Sequence, residues 1–264
     1  MRSVVVTGAY GGMGRATAIA LRDAGYRVFA IDRQVGEVDD GIIPICADIT
    51  SSEDIALAAK KICEQTDSLY AVLHFAGIYM LDSLVEISED AFINAFNVNV
   101  FGAYRMNKAL LPLLTKGSRI ILTTSELAPL DPLPFTGLYA ITKGTLEKYA
   151  YSLRMELQLL GISVSVIRPG AVKTDMLGVS TAALDRFCQN TEHYSCNATR
   201  FKKIVDSVES RFVSPERVAR LALRALRARK PKYVYKLNRN PLLLLLSVLP
   251  GQIQTGIIRL ILKR

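Results

Sequence analysis

The stretch Thr7-Gly8-Ala9-Tyr10-Gly11-Gly12-Met13-Gly14 joins an apolar, β-branched run, Ser3 to Val6, to a helical pattern from about Met13 to Ala24, and this junction decides the fold. Glycines let a backbone turn tightly and approach a ligand where a Cβ would stand in the way. The free N–H groups of the following helix, with the positive end of its dipole, then offer an anion site. A dinucleotide diphosphate suits such a strand-loop-helix context, with Gly8, Tyr10, Gly12, Met13 and Gly14 as the expected contacts.

Outward from the loop, strand and helix keep alternating. Arg27 to Ile31 reads as a second strand, and Ile43 to Cys46, Ala71 to Phe75, Arg119 to Thr123 and Ile162 to Ile167 as further short, buried ones. Helical patterns fit Ser52 to Gln65, Ser88 to Leu114 and Gly137 to Leu160. The alternation predicts the α/β class: one doubly wound, parallel Rossmann-type sheet with its ligand crevice at the carboxyl ends of the strands. Asp32 closes the second strand, eighteen residues beyond Gly14. A carboxylate there accepts hydrogen bonds from both ribose hydroxyls and repels a 2′-phosphate, which favours NAD. Arg33 follows at once and could hold that phosphate, so NADP stays open.

A chain of 264 residues suits one domain, expected over residues 1–240, with 241–264 as a hydrophobic, basic C-terminal extension. Residues 175–212 break the rhythm and read as a lid or substrate-binding insertion. The net charge of +9 is uneven: from residue 200 onward sixteen Lys and Arg face three acids, while the preceding body carries −4. Leu and Ile, not stacking aromatics, interleave these bases, which argues against nucleic acid as the partner. An anionic membrane face is the better match, met peripherally by Leu242 to Leu249 and Ile257 to Leu262 with Arg259, Lys263 and Arg264 at the headgroups. The alternative is that this stripe covers the substrate pocket or a subunit interface. Only about eight apolar residues precede the Pro250-Gly251 break, whereas a span needs roughly 20. The unled N-terminal strand predicts a cytoplasmic protein. Cys46, Cys63, Cys188 and Cys196 lack metal or disulfide spacing and read as free, buried thiols, and no metal is expected.

Tyr139 and Lys143 lie four apart, on one face of a helix. An ammonium there would favour the phenolate and make the phenol a usable acid/base. Taken with Thr7 to Gly14, Asp48-Ile49, Phe75-Ala76-Gly77, Asn97-Val98-Asn99, Ser125 and Arg168 to Thr174, all in order, the sequence resembles the short-chain dehydrogenase/reductase family, closely over about residues 1–175. The resemblance implies an NAD(P)-dependent oxidoreductase with Asn99, Ser125, Tyr139 and Lys143 as catalytic tetrad. It implies that Asp48, with Ile49, meets the adenine, that Ala76 and Gly77 back the cofactor, and that Pro169, Gly170, Val172 and Thr174 hold the nicotinamide end. Tyr139 and Lys143 would also touch the cofactor, and Asn99 would anchor a proton-relaying water. A homo-oligomer, dimer or tetramer, is implied as well.

The sequence departs from the family pattern at His74-Phe75, where two asparagines are usual, and in the length of the proline-containing loop after Ser125, which leaves Thr124 as a stand-in. His74 and His193 read as structural histidines. Leu127, Leu130, Leu133 and Phe135, with Met176, Leu177, Leu184, Phe187 and Tyr194, are expected either to wall a pocket for a large apolar alcohol or ketone or to pack the lid on the body. The layout resembles the hydroxysteroid and retinol dehydrogenase branches. Two alternatives are an NADP-dependent ketone reductase of other substrates and a dinucleotide-sensing protein without turnover.

Overall fold

A computed structural model describes residues 1–36, 40–209 and 212–263, leaving aside the side chains of 175–181 and 208–209. Seven strands form one sheet: β1 (Ser3–Thr7), β2 (Arg27–Asp32), β3 (Ile42–Cys46), β4 (Leu69–His74), β5 (Leu114–Thr123), β6 (Ser163–Pro169) and β7 (Val234–Leu237). Their order is β3-β2-β1-β4-β5-β6-β7, and every pairing is parallel. The order reverses between β1 and β4, where a crevice opens at the carboxyl ends of the strands.

Alternate residues of these strands feed two cores. Val5 pairs with Phe29 and Val72, and all three join Ile55, Met106, Leu110 and Leu146 on one face. That face is covered by α2 (Ser52–Cys63), α4 (Gly102–Leu110) and α5 (Gly137–Leu157). Val4, Val6, Val28 and Leu73 turn the other way, toward α1 (Gly12–Asp23) and α8 (Pro215–Arg227). Burial on both sides explains why Val4, Val5 and Val6 of β1 follow one another without polar alternation. Arg119 on β5 donates to the Ala225 and Ala228 carbonyls at 2.8 and 2.7 Å, satisfying the open end of α8.

The expected helix over Ser88 to Leu114 is broken into α3 (Glu89–Phe96), a π turn (Asn97–Phe101), α4 and a 3-10 turn (Leu111–Leu113), and Leu114 already belongs to β5. Pro112, lacking an N–H, ends the helical ladder. Residues 175–212 contain two helices, α6 (Asp175–Asn190) and α7 (Ser195–Glu209). The tail forms α9 (Pro241–Ser247) and α10 (Gly251–Leu262), parted at Pro250.

A third apolar cluster fastens α6, α7 and α10 to the body. Phe135 stands at its centre, 5.0 Å from Phe187 and 5.3 Å from both Tyr194 and Phe201, with Leu184 and Leu262 beside them. Its backbone is held at φ 62°, a conformation that costs a bulky residue about 1–3 kcal/mol and that the surrounding rings sustain. Phe135, Leu184, Phe187 and Tyr194 therefore serve packing, not the pocket wall; the Met176 and Leu177 side chains lie outside the described residues. The cysteines are free but not buried: Cys46 and Cys63 are exposed, Cys188 and Cys196 half-buried.

Candidate active site

The crevice begins where β1 ends. Gly8, Tyr10 and Gly11 form one wall of a cleft that continues past Asp32, Arg33, Asp48 and Ile49. Gly8 adopts φ +66°, and a Cβ there would sit 2.5 Å from the Ala76 nitrogen. Gly14 packs on the Gly8 carbonyl and Gly12 on the Thr174 methyl, so these two and Thr174 shape the loop from behind. Gly11 precedes α1 without a side-chain cap, and no acid lies in the first turn. Uncapped N–H groups at the positive end of a helix suit a diphosphate.

At the far end of the cleft the Asp32 carboxylate accepts from the Tyr10 N–H at 2.9 Å and from the Arg33 N–H at 2.8 Å. Asp48 accepts from the Thr50 N–H and hydroxyl, both at 2.7 Å. Asp32 at the end of β2 and Asp48 just past β3 thus both accept backbone hydrogen bonds and also border the cleft. Ala76 and Gly77 follow β4 on the same wall. These residues present what a dinucleotide requires: an anion-binding turn flanked by acceptors for ribose and base.

Past Phe75, Gly77 and Ile78 the cleft runs into a second pocket. Ser125, Tyr139, Lys143, Met13, Pro169, Gly170 and Val172 all line it. β5 delivers Ser125 just beyond its carboxyl end and α5 presents Tyr139 in its first turn. Ser125 and Tyr139 share this pocket, and the Ser125 hydroxyl, which accepts from the Leu127 N–H at 3.2 Å, lies near enough to the phenol to favour its ionised form. Thr124 instead donates to the Ile167 carbonyl. Lys143 is buried, donates to the Thr123 carbonyl at 3.1 Å and holds its Nζ 5.8 Å from the centre of the Tyr139 ring.

Asn99 sits in the π turn, a distortion that aims a side chain an ordinary helix would direct elsewhere. Its Oδ1 accepts from the Ile78 N–H at 2.8 Å, and its Nδ2 donates to the Ile78 carbonyl and the Thr142 hydroxyl, each at 3.0 Å. Gly77 packs closely beside it: a Cβ there would lie 3.1 Å from Asn99 Oδ1 and 3.2 Å from Lys143 Nζ, and both side chains would have to yield. With both amide hydrogens used by protein, any water held by Asn99 would be held at an acceptor, its backbone carbonyl or the remaining lone pair of Oδ1.

Burial raises the Tyr139 phenol to about 12; the Ser125 hydroxyl pulls against this and the Glu126 charge adds to it. Burial also lowers Lys143 to about 8. The expectation that the ammonium would depress the phenol is thus reversed. Desolvation of the phenolate is the largest influence on the phenol, and the Lys143 ammonium is not among the groups that pull it down. His74 is buried, falls to about 4, and its Nε2 meets Asn107 Oδ1 at 2.8 Å, so it is a neutral structural residue tying β4 to α4. His193 lies at the surface, its backbone N–H donating to Glu86 at 2.9 Å.

Sequence reasoning passed over several lining residues. Glu126 reaches the pocket directly after Ser125, and burial raises its carboxyl. Asn240 and Leu243 enter from the tail, Phe201, Ile204 and Val205 from α7. Glu126 could have been found from its position beside the serine; the tail and α7 residues carry no local signal of where they fold back. Of the expected wall, Leu127 and Leu133 are in place.

A family model described as short chain dehydrogenase matches residues 2–185. The chain is 32% identical over 269 residues to "Uncharacterized oxidoreductase YbbO" of Escherichia coli strain K12, covering 98% of this chain and 94% of that protein. Over 257 residues it is 30% identical to "Estradiol 17-beta-dehydrogenase 2" of Mus musculus, covering 89% of this chain and 67% of that one. Its fold is shared with the 3-ketoacyl-(acyl-carrier-protein) reductase from Brucella melitensis complexed with NADH, at a TM-score of 0.73 and 20% identity over 90% of this chain and 96% of that one. The chain belongs to the short-chain dehydrogenase family, NAD(P)-dependent oxidoreductases that act on CH–OH donors.

Proposed function

We propose that the protein interconverts a secondary alcohol and a ketone on a large apolar substrate of hydroxysteroid, bile-acid or retinoid type, with Tyr139 moving the proton. The observation that carries this reading is that Ser125 and Tyr139 line one pocket whose wall includes Leu127, Leu133, Ile204, Val205 and Leu243. Two hydroxyls converging amid aliphatic walls suit one substrate oxygen on an apolar frame. The hydroxysteroid-acting relative points the same way.

In reduction, the Tyr139 hydroxyl gives its proton to the substrate oxygen while Ser125 donates a hydrogen bond to the same oxygen, stabilising charge as it develops. In oxidation the Tyr139 phenolate takes the alcohol proton and becomes the phenol, and Ser125 holds the oxygen in place. The nicotinamide cofactor supplies or accepts the hydride when bound. Gly8, Tyr10 and Gly11 would hold its diphosphate, Asp32 the adenosine ribose, Asp48 and Ile49 the adenine, and Pro169 to Val172 the nicotinamide end. Lys143 would bind the nicotinamide ribose and pass the proton onward, with Asn99 positioning the wall at Ile78. Arg33, exposed on the cleft beside Asp32, favours a second reading in which NADP is also accepted.

We place the enzyme in the cytoplasm, in keeping with its free thiols, and as a homo-oligomer, in keeping with Phe92, Phe101, Tyr104 and Tyr151 exposed on neighbouring helices. A screen of steroid, bile-acid, retinoid and polyol substrates with NAD and NADP, followed by nicotinamide absorbance, tests the substrate class. The reading expects turnover of the polycyclic or long-chain alcohols, and turnover confined to small polyols would contradict it.

A further inference from the structure

The tail helices have two unlike faces. On α10, Gln254, Ile258 and Leu262 recur every fourth residue and turn inward. The Gln254 amide donates to the Leu249 carbonyl at 2.9 Å, Ile258 and Leu262 pack in the cluster around Phe135, and the Leu262 carbonyl accepts from Asn197 of α7. Ile253, Leu260 and Ile261 turn outward, and Leu260 is 77% exposed. On α9 the same division holds: Leu243 lines the substrate pocket, whereas Leu242, Leu245 and Val248 are 69, 63 and 76% exposed. Two consecutive helices thus offer an aliphatic face that the chain leaves in water, beside the pocket that one of them helps to close.

The tail's own charge has one sign, and the two acids that touch it, Glu126 at Asn240 and Asp131 at Gln254, meet its inward-facing residues. Twelve Lys and Arg follow Glu216, and not one Asp or Glu does. Arg239 precedes α9, Arg259 lies on α10 and Lys263 ends it, all exposed. We propose that α9 and α10 form a docking surface for an anionic lipid bilayer, their aliphatic face lying among the acyl chains and their cations at the headgroups. A second copy of the chain would bring the same cations to the same rim, so a two-fold contact here sets like charges together. Anionic headgroups neutralise them, and acyl chains accept an aliphatic face without demanding matched shape. The helices lie on the bilayer rather than cross it: no helix among the described residues is long and apolar enough to span. Docking brings Leu243 and the pocket mouth to the lipid, where an apolar alcohol or ketone would be dissolved; that consequence rests on the proposed substrate class, whereas the docking itself does not.

The experiment is flotation of the full-length protein with vesicles of phosphatidylcholine alone or of phosphatidylcholine mixed with phosphatidylglycerol. It compares the wild type with the triple variant Leu242→Ser, Leu245→Ser, Val248→Ser, whose sites are exposed, with thermal unfolding and light-scattering mass measured alongside. The wild type is expected to float with the anionic vesicles at least about tenfold more than with phosphatidylcholine, to be released by high salt, and to lose at least about tenfold in binding in the triple variant. Because flotation reads binding and not turnover, a wrong substrate class leaves it unaffected. The proposal is overturned if the wild type stays with the soluble fraction, if the triple variant binds as the wild type does, or if the substitutions change the molar mass while lipid binding persists. The last result would make this face a contact between copies.

Discussion

Glu126 Oε2 accepts a hydrogen bond from the Asn240 backbone N–H at 2.6 Å, which ties the residue following the pocket serine to the start of α9. The same carboxylate acts on Tyr139 through space, its charge raising the phenol. One side chain thus links the catalytic loop, the acid/base and the tail.

Glu126→Gln keeps an acceptor for the Asn240 N–H and removes the charge. The phenol should then ionise more readily, and the pH dependence of alcohol oxidation should move to lower pH. Rates of oxidation across the alkaline range in the two proteins decide this. A profile that stays in place, or moves up, contradicts the assignment of Glu126 as the neighbouring charge.

Lys143, lowered to about 8 by burial, keeps its ammonium below that pH and loses it above. Tyr139, raised to about 12, stays protonated throughout the neutral range. In ketone reduction kcat/KM should therefore be level near neutrality and fall as pH rises through about 8, a limb that belongs to the lysine. Lys143→Met should lower the rate by about 10²–10⁴-fold and abolish that limb. Persistence of the limb in the variant would assign it elsewhere.

Asp32→Ala removes the charge set against a 2′-phosphate and leaves Arg33 in place. The ratio of kcat/KM with NAD to that with NADP should fall by about tenfold or more, equivalent to about 1.4 kcal/mol. The Tyr10 and Arg33 N–H groups lose their acceptor, so thermal stability should drop by about 1–3 kcal/mol. An unchanged cofactor ratio would reduce Asp32 to a strand-end acceptor.

The sheet and the cofactor loop were legible because local signals and tertiary environment agree there. A β-branched run buried on both faces can only be a strand, and the glycine turn after β1 needs a backbone that Gly8 alone adopts. The break at Asn97 was not legible, since residues 88–110 keep helical periodicity through the π turn that presents Asn99. β7 escaped notice because Val234–Leu237 is four residues set among bases, held by β6 rather than by its own pattern. Tyr139 with Lys143 was visible from spacing, but the sign of the phenol's displacement was not, as it depends on how deeply the two are buried. Phe135 looked like a pocket residue because an apolar side chain in a loop carries no mark of which cluster it will join.

The central claim is that the Tyr139 hydroxyl moves the substrate proton. Its ring packs edge-on against Tyr79 at 4.6 Å, so Tyr139→Phe keeps that contact and removes only the hydroxyl. The most direct measurement is the turnover rate of this variant with the best substrate from the screen, alongside its affinity for the reduced cofactor by fluorescence. The account predicts a loss of about 10²–10⁴-fold in kcat with cofactor binding preserved. Turnover at the wild-type rate would contradict it.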